Sequence, residues 1–134
     1  MNPTQLRERL EALGAIDDAD ESGVYAFRVD VPNAVDAVQR RWLNAIDAPL
    51  PDEYAEQLAA AETRLYVGAT GRPIRERLAE HARSDVRRAS FIRAYGVADV
   101  VGVWPGASTG VAERDRARAL SDAETCVWCD GDLF

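Results

Sequence analysis

The sequence lacks the long apolar segments that mark membrane and exported proteins. No apolar run in the 134 residues approaches the roughly 20 residues that a bilayer-spanning helix needs. The N-terminus is charged and has no apolar stretch of the kind found in signal peptides. Hydrophobic residues make up 47% of the chain, which is enough to form a core. We therefore expect one soluble, cytoplasmic domain that spans residues 1–134.

Cysteine and histidine, the usual ligands of structural zinc, are also scarce. Cys126 and Cys129 give half of a zinc-type spacing, there is no second pair, and the only histidine, His81, is distant in sequence. A redox C-x-x-C motif normally opens a helix after a strand, whereas this pair lies near the C-terminus. We expect two reduced cysteines packed beside Trp128, with a zinc or redox protein as the less favoured alternative.

Lysine is absent, and all 16 basic residues are arginine. They are outnumbered by 23 acidic residues, which gives a net charge of −7. This composition is typical of proteins from GC-rich, high-salt organisms, in which a carboxylate-rich surface maintains solubility. The acidity therefore indicates a halophilic setting and says little about the binding partner.

The positive charge is concentrated in one stretch of the chain. Between Arg64 and Arg93, eight arginines stand against Glu76, Glu80 and Asp85, a local charge of +5 in a chain of −7. Solvated helix faces with ordinary ion pairs would explain the same residues. Segregation this strong nevertheless favours an anion-binding face, and hence DNA as the partner.

Hydrophobic periodicity predicts an α/β (α+β) fold. Three strand patterns, "GVYAFRVDV", "TRLYVGAT" and "VADVVGVWPG", alternate with amphipathic helices. We expect a small three-stranded, mostly antiparallel sheet flanked by helices. Its core is residues 22–31 and 64–120, a helical insert at 32–63 separates the first two strands, and 121–134 is a terminal strand or tail.

Two short motifs and a helix carry a resemblance to a known family. The sequence reads "GVY" at 23–25 and "YVG" at 66–68, and then places Arg77 and His81 four residues apart on one helix. This order resembles the GIY-YIG nuclease superfamily, as a small stand-alone domain of haloarchaeal type. The resemblance covers about residues 22–120 outside the insert. It implies a divalent-metal-dependent endonuclease that hydrolyses DNA, with a role in repair or recombination.

The resemblance implies that Tyr25, Tyr66, Arg77 and His81 are catalytic. Tyr25 would be the base, Tyr66 would support the water or phosphate, and His81 would orient Tyr25 or assist the proton relay. Arg77 offers a permanently charged fork for phosphate oxygens. A phenol has an unperturbed pKa of about 10, so a base near neutrality needs a nearby cation. The motif glycines would let the strand ends approach the substrate.

The family also has one glutamate that holds a divalent cation after the third strand. Glu113 is the expected ligand for Mg²⁺ or Mn²⁺, with Glu124 in reserve, because Mg²⁺ suits a sparse site and keeps most of its waters. The arginines expected to bind nucleic acid are Arg72, Arg75, Arg87 and Arg88. Further phosphate contacts could come from Arg114, Arg116 and Arg118.

Two departures from the family pattern keep an alternative open. Tyr25 and Tyr66 are 41 residues apart, whereas relatives join the two strands by a short hairpin. The 32–63 insert could cover the active site, bind a protein partner or extend the DNA surface, although Trp42 is more simply an anchor to the core. The chain also has no separate DNA-binding domain. The alternative is a catalytically inactive module that binds nucleic acid or protein, in which the tyrosines pack the sheet and Arg77 pairs with Glu80 or Glu76.

Overall fold

A computed structural model describes residues 1–83 and 89–134 of the chain. The strands in these ranges are β1 (Gly23–Arg28), β2 (Thr63–Thr70), β3 (Asp99–Pro105), β4 (Thr125–Cys129) and β5 (Asp132–Leu133). The helices are α1 (Pro3–Ala12), α2 (Val35–Ile46), α3 (Asp52–Ala60), α4 (Ile74–Ala82), α5 (Ser90–Tyr95) and α6 (Gly110–Leu120), with a 3₁₀ turn at Asp18–Asp20. None of these helices combines the length and apolarity that crossing a bilayer requires.

The sheet is larger than predicted and mixed. Its order is β3-β1-β2-β4-β5, and the three strands expected from the sequence pair antiparallel around β1. The last residues add two strands, because β4 runs parallel to β2 and β5 folds back antiparallel on β4. The α+β class is confirmed, but the three-stranded sheet is wrong. The apolar "CVWC" segment is buried because it forms strand β4 beside β2.

The helical insert between β1 and β2 is present as α2 and α3, and it is fastened to the core. Trp42 is 7% exposed and packs on Trp128, with ring centroids 5.4 Å apart. Arg64 donates from Nε to the Leu58 carbonyl (2.7 Å) and from Nη2 to Asn33 Oδ1 (2.9 Å). Trp42 is therefore an anchor. Arg64, one of the eight arginines of the basic stretch, holds the insert in place.

The two faces of the sheet differ in their side chains, because alternate residues of a strand point to opposite sides. One face, which we call the aromatic face, lies in the larger core together with residues of α4 and α5. The other, the aliphatic face, packs against α6. The aromatic face carries Tyr25, Phe27, Tyr66 and Trp128, and Phe91 of α5 stacks on it. The aliphatic face carries Val24, Ala26, Leu65, Val67 and Val127.

Candidate active site

The two motif tyrosines lie on the aromatic face of neighbouring strands. Tyr25 stands opposite Gly68 in the antiparallel register of β1 and β2. A Cβ on Gly68 would lie 2.5 Å from the Tyr25 hydroxyl oxygen and 2.6 Å from Cζ. The Tyr25 ring therefore crosses the β2 backbone in the space that a side chain would fill. Gly68 makes room for a phenol, where we had expected room for a substrate.

The other motif glycine, Gly23, is explained by a different feature of the structure. Gly23 has a φ of 152°, which disfavours residues with a Cβ. A Cβ there would lie 2.3 Å from the Trp104 carbonyl oxygen, on the paired strand β3. The glycine of "GVY" thus permits close packing of β1 against β3.

Helix α4 brings Arg77 and His81 to the Tyr25 hydroxyl. His81 Nε2 lies 2.9 Å from that oxygen, and the imidazole ring is fully buried between aromatic rings. The positive charge of Arg77 acts on the same phenol, and the Tyr66 ring lies 6.5 Å from the Tyr25 ring and 5.4 Å from the His81 ring, between centroids. The four residues expected to be catalytic therefore lie together, although they come from three separate elements.

Glu113 acts on this group through its charge, from α6, the helix that packs against the aliphatic face. That helix begins after Thr109, whose hydroxyl accepts from the Ala112 backbone N–H (3.2 Å) and caps the first turn. The cap places Glu113 in that first turn, where its negative charge acts on both phenols. Its Oε1 accepts a hydrogen bond from the Cys129 thiol at 3.0 Å.

The reserve residue, Glu124, lies elsewhere. Its side chain is exposed, and its backbone carbonyl accepts from Thr63 N (3.1 Å), at the start of β2. The phenols and Gly68 lie toward the other end of that strand. Glu113, rather than Glu124, thus shares the site with the tyrosines.

A single carboxylate, that of Glu113, would give a metal ion few protein ligands. Among the residues that the structure describes, no three His, Cys, Asp or Glu side chains group together as a metal cage. A carboxylate has two oxygens, and the Cys129 contact uses one of them. Glu113 thus fits a cation such as Mg²⁺, which keeps several waters and takes further oxygens from phosphate.

Burial controls the protonation of the two phenols. It raises the pKa of Tyr25 to about 12, and the opposing charge and hydrogen bond of Arg77 reduce that rise without cancelling it. Burial also raises the pKa of Tyr66, and the neighbouring Tyr25 and Glu113 add to the rise. We expected the cation to prepare Tyr25 as a base near neutrality. In this arrangement burial outweighs the cation, and the pKa of Tyr25 lies above its usual value.

The cluster is closed rather than open. Tyr25 is 1% exposed, Tyr66 8%, and His81 0%. The Arg77 side chain is 21% exposed and Glu113 is half-buried, so these two are its accessible members. The guanidinium and the carboxylate are therefore the groups that a ligand would reach first.

Sequence reasoning missed the central role of Glu80. We considered this residue only as a surface partner of Arg77, but it is 3% exposed. Its carboxylate accepts from Arg77 Nη1 at 3.0 Å and from Arg72 Nη2. Burial alone would raise the pKa of Glu80, but these hydrogen bonds and charges outweigh it and hold the pKa below its usual range. The i,i+3 spacing from Arg77 was the available signal.

The arginines expected to bind nucleic acid have partners within the protein where the structure describes them. Arg72 is half-exposed and bound to Glu80, and Arg75 lies 2.9 Å from Asp20. Arg87 and Arg88 lie outside the described residues. Ordinary ion pairs thus account for Arg72 and Arg75, and the anion-binding face stays a prediction.

The arginines after Glu113 are engaged as well. Arg114 lies 2.7 Å from Asp132, and Arg118 lies 3.3 Å from Asp115. The Arg116 guanidinium lies over the Trp104 ring, 4.3 Å from its centroid. These contacts provide a structural reason for each residue.

The two cysteines are buried and reduced, as expected, but on opposite faces of β4. Cys126 belongs to the core of the aromatic face and Cys129 to that of the aliphatic face. Two side chains on opposite sides of a strand cannot share a zinc ion or form a disulfide. Burial also raises the pKa of Cys126 to about 11 and, with the Glu113 contact, that of Cys129 to about 12. Both findings contradict a redox role.

Comparisons with protein-family models, with curated proteins and with solved structures found no match for this chain.

Proposed function

We propose that this chain is a divalent-metal-dependent endonuclease of the GIY-YIG type, which hydrolyses phosphodiester bonds in DNA during repair or recombination. The proposal is supported by one observation above all. Two phenols, a guanidinium and an imidazole lie together on β1, β2 and α4, and the charge of a carboxylate on α6 acts on both phenols. Packing alone does not select such a group, because buried polar atoms are costly unless they are paired.

Arg77 is the residue proposed to bind the scissile phosphate. Its planar fork suits phosphate oxygens, and it is the partly exposed cation of the cluster. A charge that is fixed in advance beside the reacting phosphorus stabilises the extra negative charge of the transition state. Removal of one such donor typically lowers kcat by about 10²–10³-fold.

Tyr25 and His81 are proposed to move the proton. When His81 Nε2 carries no proton, it can take the proton of the Tyr25 hydroxyl across the 2.9 Å hydrogen bond. The phenolate that remains keeps the hydrogen bond from Arg77 and takes a proton from the attacking water. The raised pKa of the phenol does not block this pathway, because the imidazole accepts the phenol's proton directly.

Glu113 is the residue proposed to hold Mg²⁺ or Mn²⁺. When bound, such an ion polarises phosphoryl oxygens as a Lewis acid. The Cys129 thiol donates a hydrogen bond to one oxygen of this carboxylate and thereby orients it.

A second candidate function is supported by the burial of the cluster. Tyr25 is shielded almost completely, so a phosphate cannot contact its hydroxyl unless the site opens. A module that uses this fold to bind nucleic acid or a protein, without cleavage, needs no such opening. The exposed surface of the 32–63 insert would then be the natural place for a protein partner.

Cleavage assays separate the two candidates. Purified protein is incubated with supercoiled plasmid and with branched DNA, with Mg²⁺, Mn²⁺ or EDTA. KCl is varied, because counterion release weakens phosphate contacts at high salt. Metal-dependent nicking that is lost in Arg77→Ala supports the endonuclease. Binding without nicking, unchanged in Arg77→Ala, supports a nucleic-acid-binding module. A result of neither binding nor nicking overturns the endonuclease and the nucleic-acid-binding module, and leaves the protein-binding module.

A further inference from the structure

The buried carboxylate of Glu80 is the part of this region that the proposed function does not yet use. Glu80 lies on α4 between Arg77 and His81, and it is almost fully shielded from solvent. A charge in such a place is retained only when opposite charges pair with it. Here two guanidiniums do so, those of Arg72 and Arg77.

The contacts of Arg77 form a chain across the site. Its Nη1 donates to Glu80 Oε2 at 3.0 Å, and the positive charge of the same guanidinium acts on the Tyr25 phenol. An arginine side chain has many rotamers, and its guanidinium points toward a ligand in only some of them. A carboxylate one helical turn away, itself held by packing, fixes the fork in a single direction.

The charges also favour a phosphate ligand. Two guanidiniums share one carboxylate, so the group of Arg72, Arg77 and Glu80 keeps a charge of +1. A single Arg–Glu pair would be neutral. Arg72 thus offsets the carboxylate that orients Arg77 and leaves Arg77 attractive to an anion.

We propose that Glu80 is a positioning residue, which fixes the Arg77 guanidinium beside the tyrosine cluster and orients it toward the bound phosphate. This inference rests on the proposed endonuclease function. Glu80 itself contacts no substrate, and it acts through Arg77.

A double-mutant cycle tests the inference. Glu80→Gln keeps the shape and removes the charge, and we expect kcat for plasmid nicking to fall by about 10–10²-fold with KM nearly unchanged. In an Arg77→Ala background the same substitution should have no further effect, because the group it positions is gone. Glu80→Asp keeps the charge and should recover part of the rate. Glu76→Gln, an exposed acid one turn earlier on α4, is the matched control and should match the wild type.

Two outcomes of the cycle would overturn the inference. One is an equal loss of rate in the wild-type and Arg77→Ala backgrounds, which would show that Glu80 does not act through Arg77. The other is a loss of rate that follows only a loss of folded protein, measured by urea unfolding of each variant.

A readout without DNA keeps this test separate from the proposed function. In arginine-labelled protein, the Arg77 Nε–H signal, assigned by its loss in Arg77→Lys, should exchange slowly with solvent and broaden in Glu80→Gln. Slow exchange that persists in Glu80→Gln would overturn the positioning role, even in a protein that nicks DNA. A wild-type signal that exchanges slowly and that broadens in Glu80→Gln, in a protein that does not nick DNA, would overturn the endonuclease and leave the positioning role intact.

Discussion

The two faces of the sheet bury side chains of different chemistry from the same strands. In β1, Val24 and Ala26 point to the aliphatic face, whereas Tyr25 and Phe27 point to the aromatic face. The aliphatic face and α6 bury mostly apolar side chains, although Glu113, the proposed metal ligand, accepts a hydrogen bond there from the Cys129 thiol. The aromatic face buries hydroxyls, an imidazole and, at its margin, a carboxylate with its arginines.

This difference separates stability from chemistry. Apolar burial stabilises by about 25 cal/mol per Å² and needs no particular partner. A buried hydroxyl or carboxylate costs free energy unless each polar atom is paired, so a buried network must be complete to be tolerated. We infer that the aliphatic face contributes mainly stability, and that the polar atoms of the aromatic face are retained for what they do.

The comparison is tested most directly by removal of one hydroxyl from the aromatic face. Tyr25→Phe should reduce DNA nicking by at least about 10²-fold, because general-base catalysis contributes about 10²–10⁴-fold. Its free energy of unfolding should change by only about 1–3 kcal/mol. Tyr95→Phe is the control, since this phenol is also buried and donates to the Val38 carbonyl at 2.8 Å. It should lose about 1 kcal/mol of stability and keep full nicking. Equal loss of nicking in both variants would contradict the division between the faces.

The second prediction concerns alkaline pH. Burial raises the pKa of Tyr25 to about 12, and of Cys126 to about 11. A raised folded-state pKa gives stability that is complete below the unfolded pKa, about 10 for Tyr and 8.5 for Cys, and that is lost as pH rises toward the folded value. The free energy of unfolding should therefore fall steeply above pH 9, by up to about 1.4 kcal/mol per pH unit for each such group, and the urea midpoint should fall with it.

Two variants sharpen this pH experiment. Tyr25→Phe should make the alkaline decline shallower, because it removes one of the groups that resist ionisation. Val67→Ala, on the aliphatic face, should lower the whole curve and leave its slope unchanged. A midpoint that stays flat up to pH 11 would show that the phenols and thiols are not held neutral by the fold.

The third prediction adds one methyl group to the aromatic face. Gly68→Ala should cost about 1–3 kcal/mol of stability and displace the Tyr25 phenol, because the new Cβ would lie 2.5 Å from its hydroxyl oxygen. Gly71→Ala, three residues after Gly68, has open space around it and should stay within about 0.5 kcal/mol. Urea unfolding measures both. Equal stabilities would indicate that the phenol does not cross β2.

Local patterns explain what could be predicted from the sequence. Alternation in β1 and β2 indicated strands, and the motif order favoured their pairing with Tyr25 and Tyr66 on one face. The i,i+4 spacing put Arg77 and His81 on one side of α4. These inferences need only the repeat of a strand or a helix, so they did not depend on knowledge of the tertiary packing.

Non-local packing explains what could not be predicted. The apolar segment at 126–129 indicated a strand or a tail, but its parallel pairing with β2 depends on contacts some 60 residues apart. The burial of Tyr25 and Glu80 depends on how α4 and α5 cover the sheet, which a single sequence does not specify. Desolvation then reversed the expected pKa of Tyr25, since its magnitude depends on that burial.

The smallest predicted effect lies at the edge of the aliphatic face. Arg116 covers the ring of Trp104, which packs against that face, and a cation over an aromatic ring contributes about 0.5–1 kcal/mol at such a site. Arg116→Ala should lose this amount in urea unfolding and leave DNA affinity and its salt dependence unchanged. Arg7→Ala is the control, because it removes only an exposed ion pair with Glu11, and it should lose less stability. If Arg116 contacts phosphate instead, its removal would reduce the salt slope of DNA binding by about 1. The aliphatic face would then take part in binding, and the division between the two faces would fail.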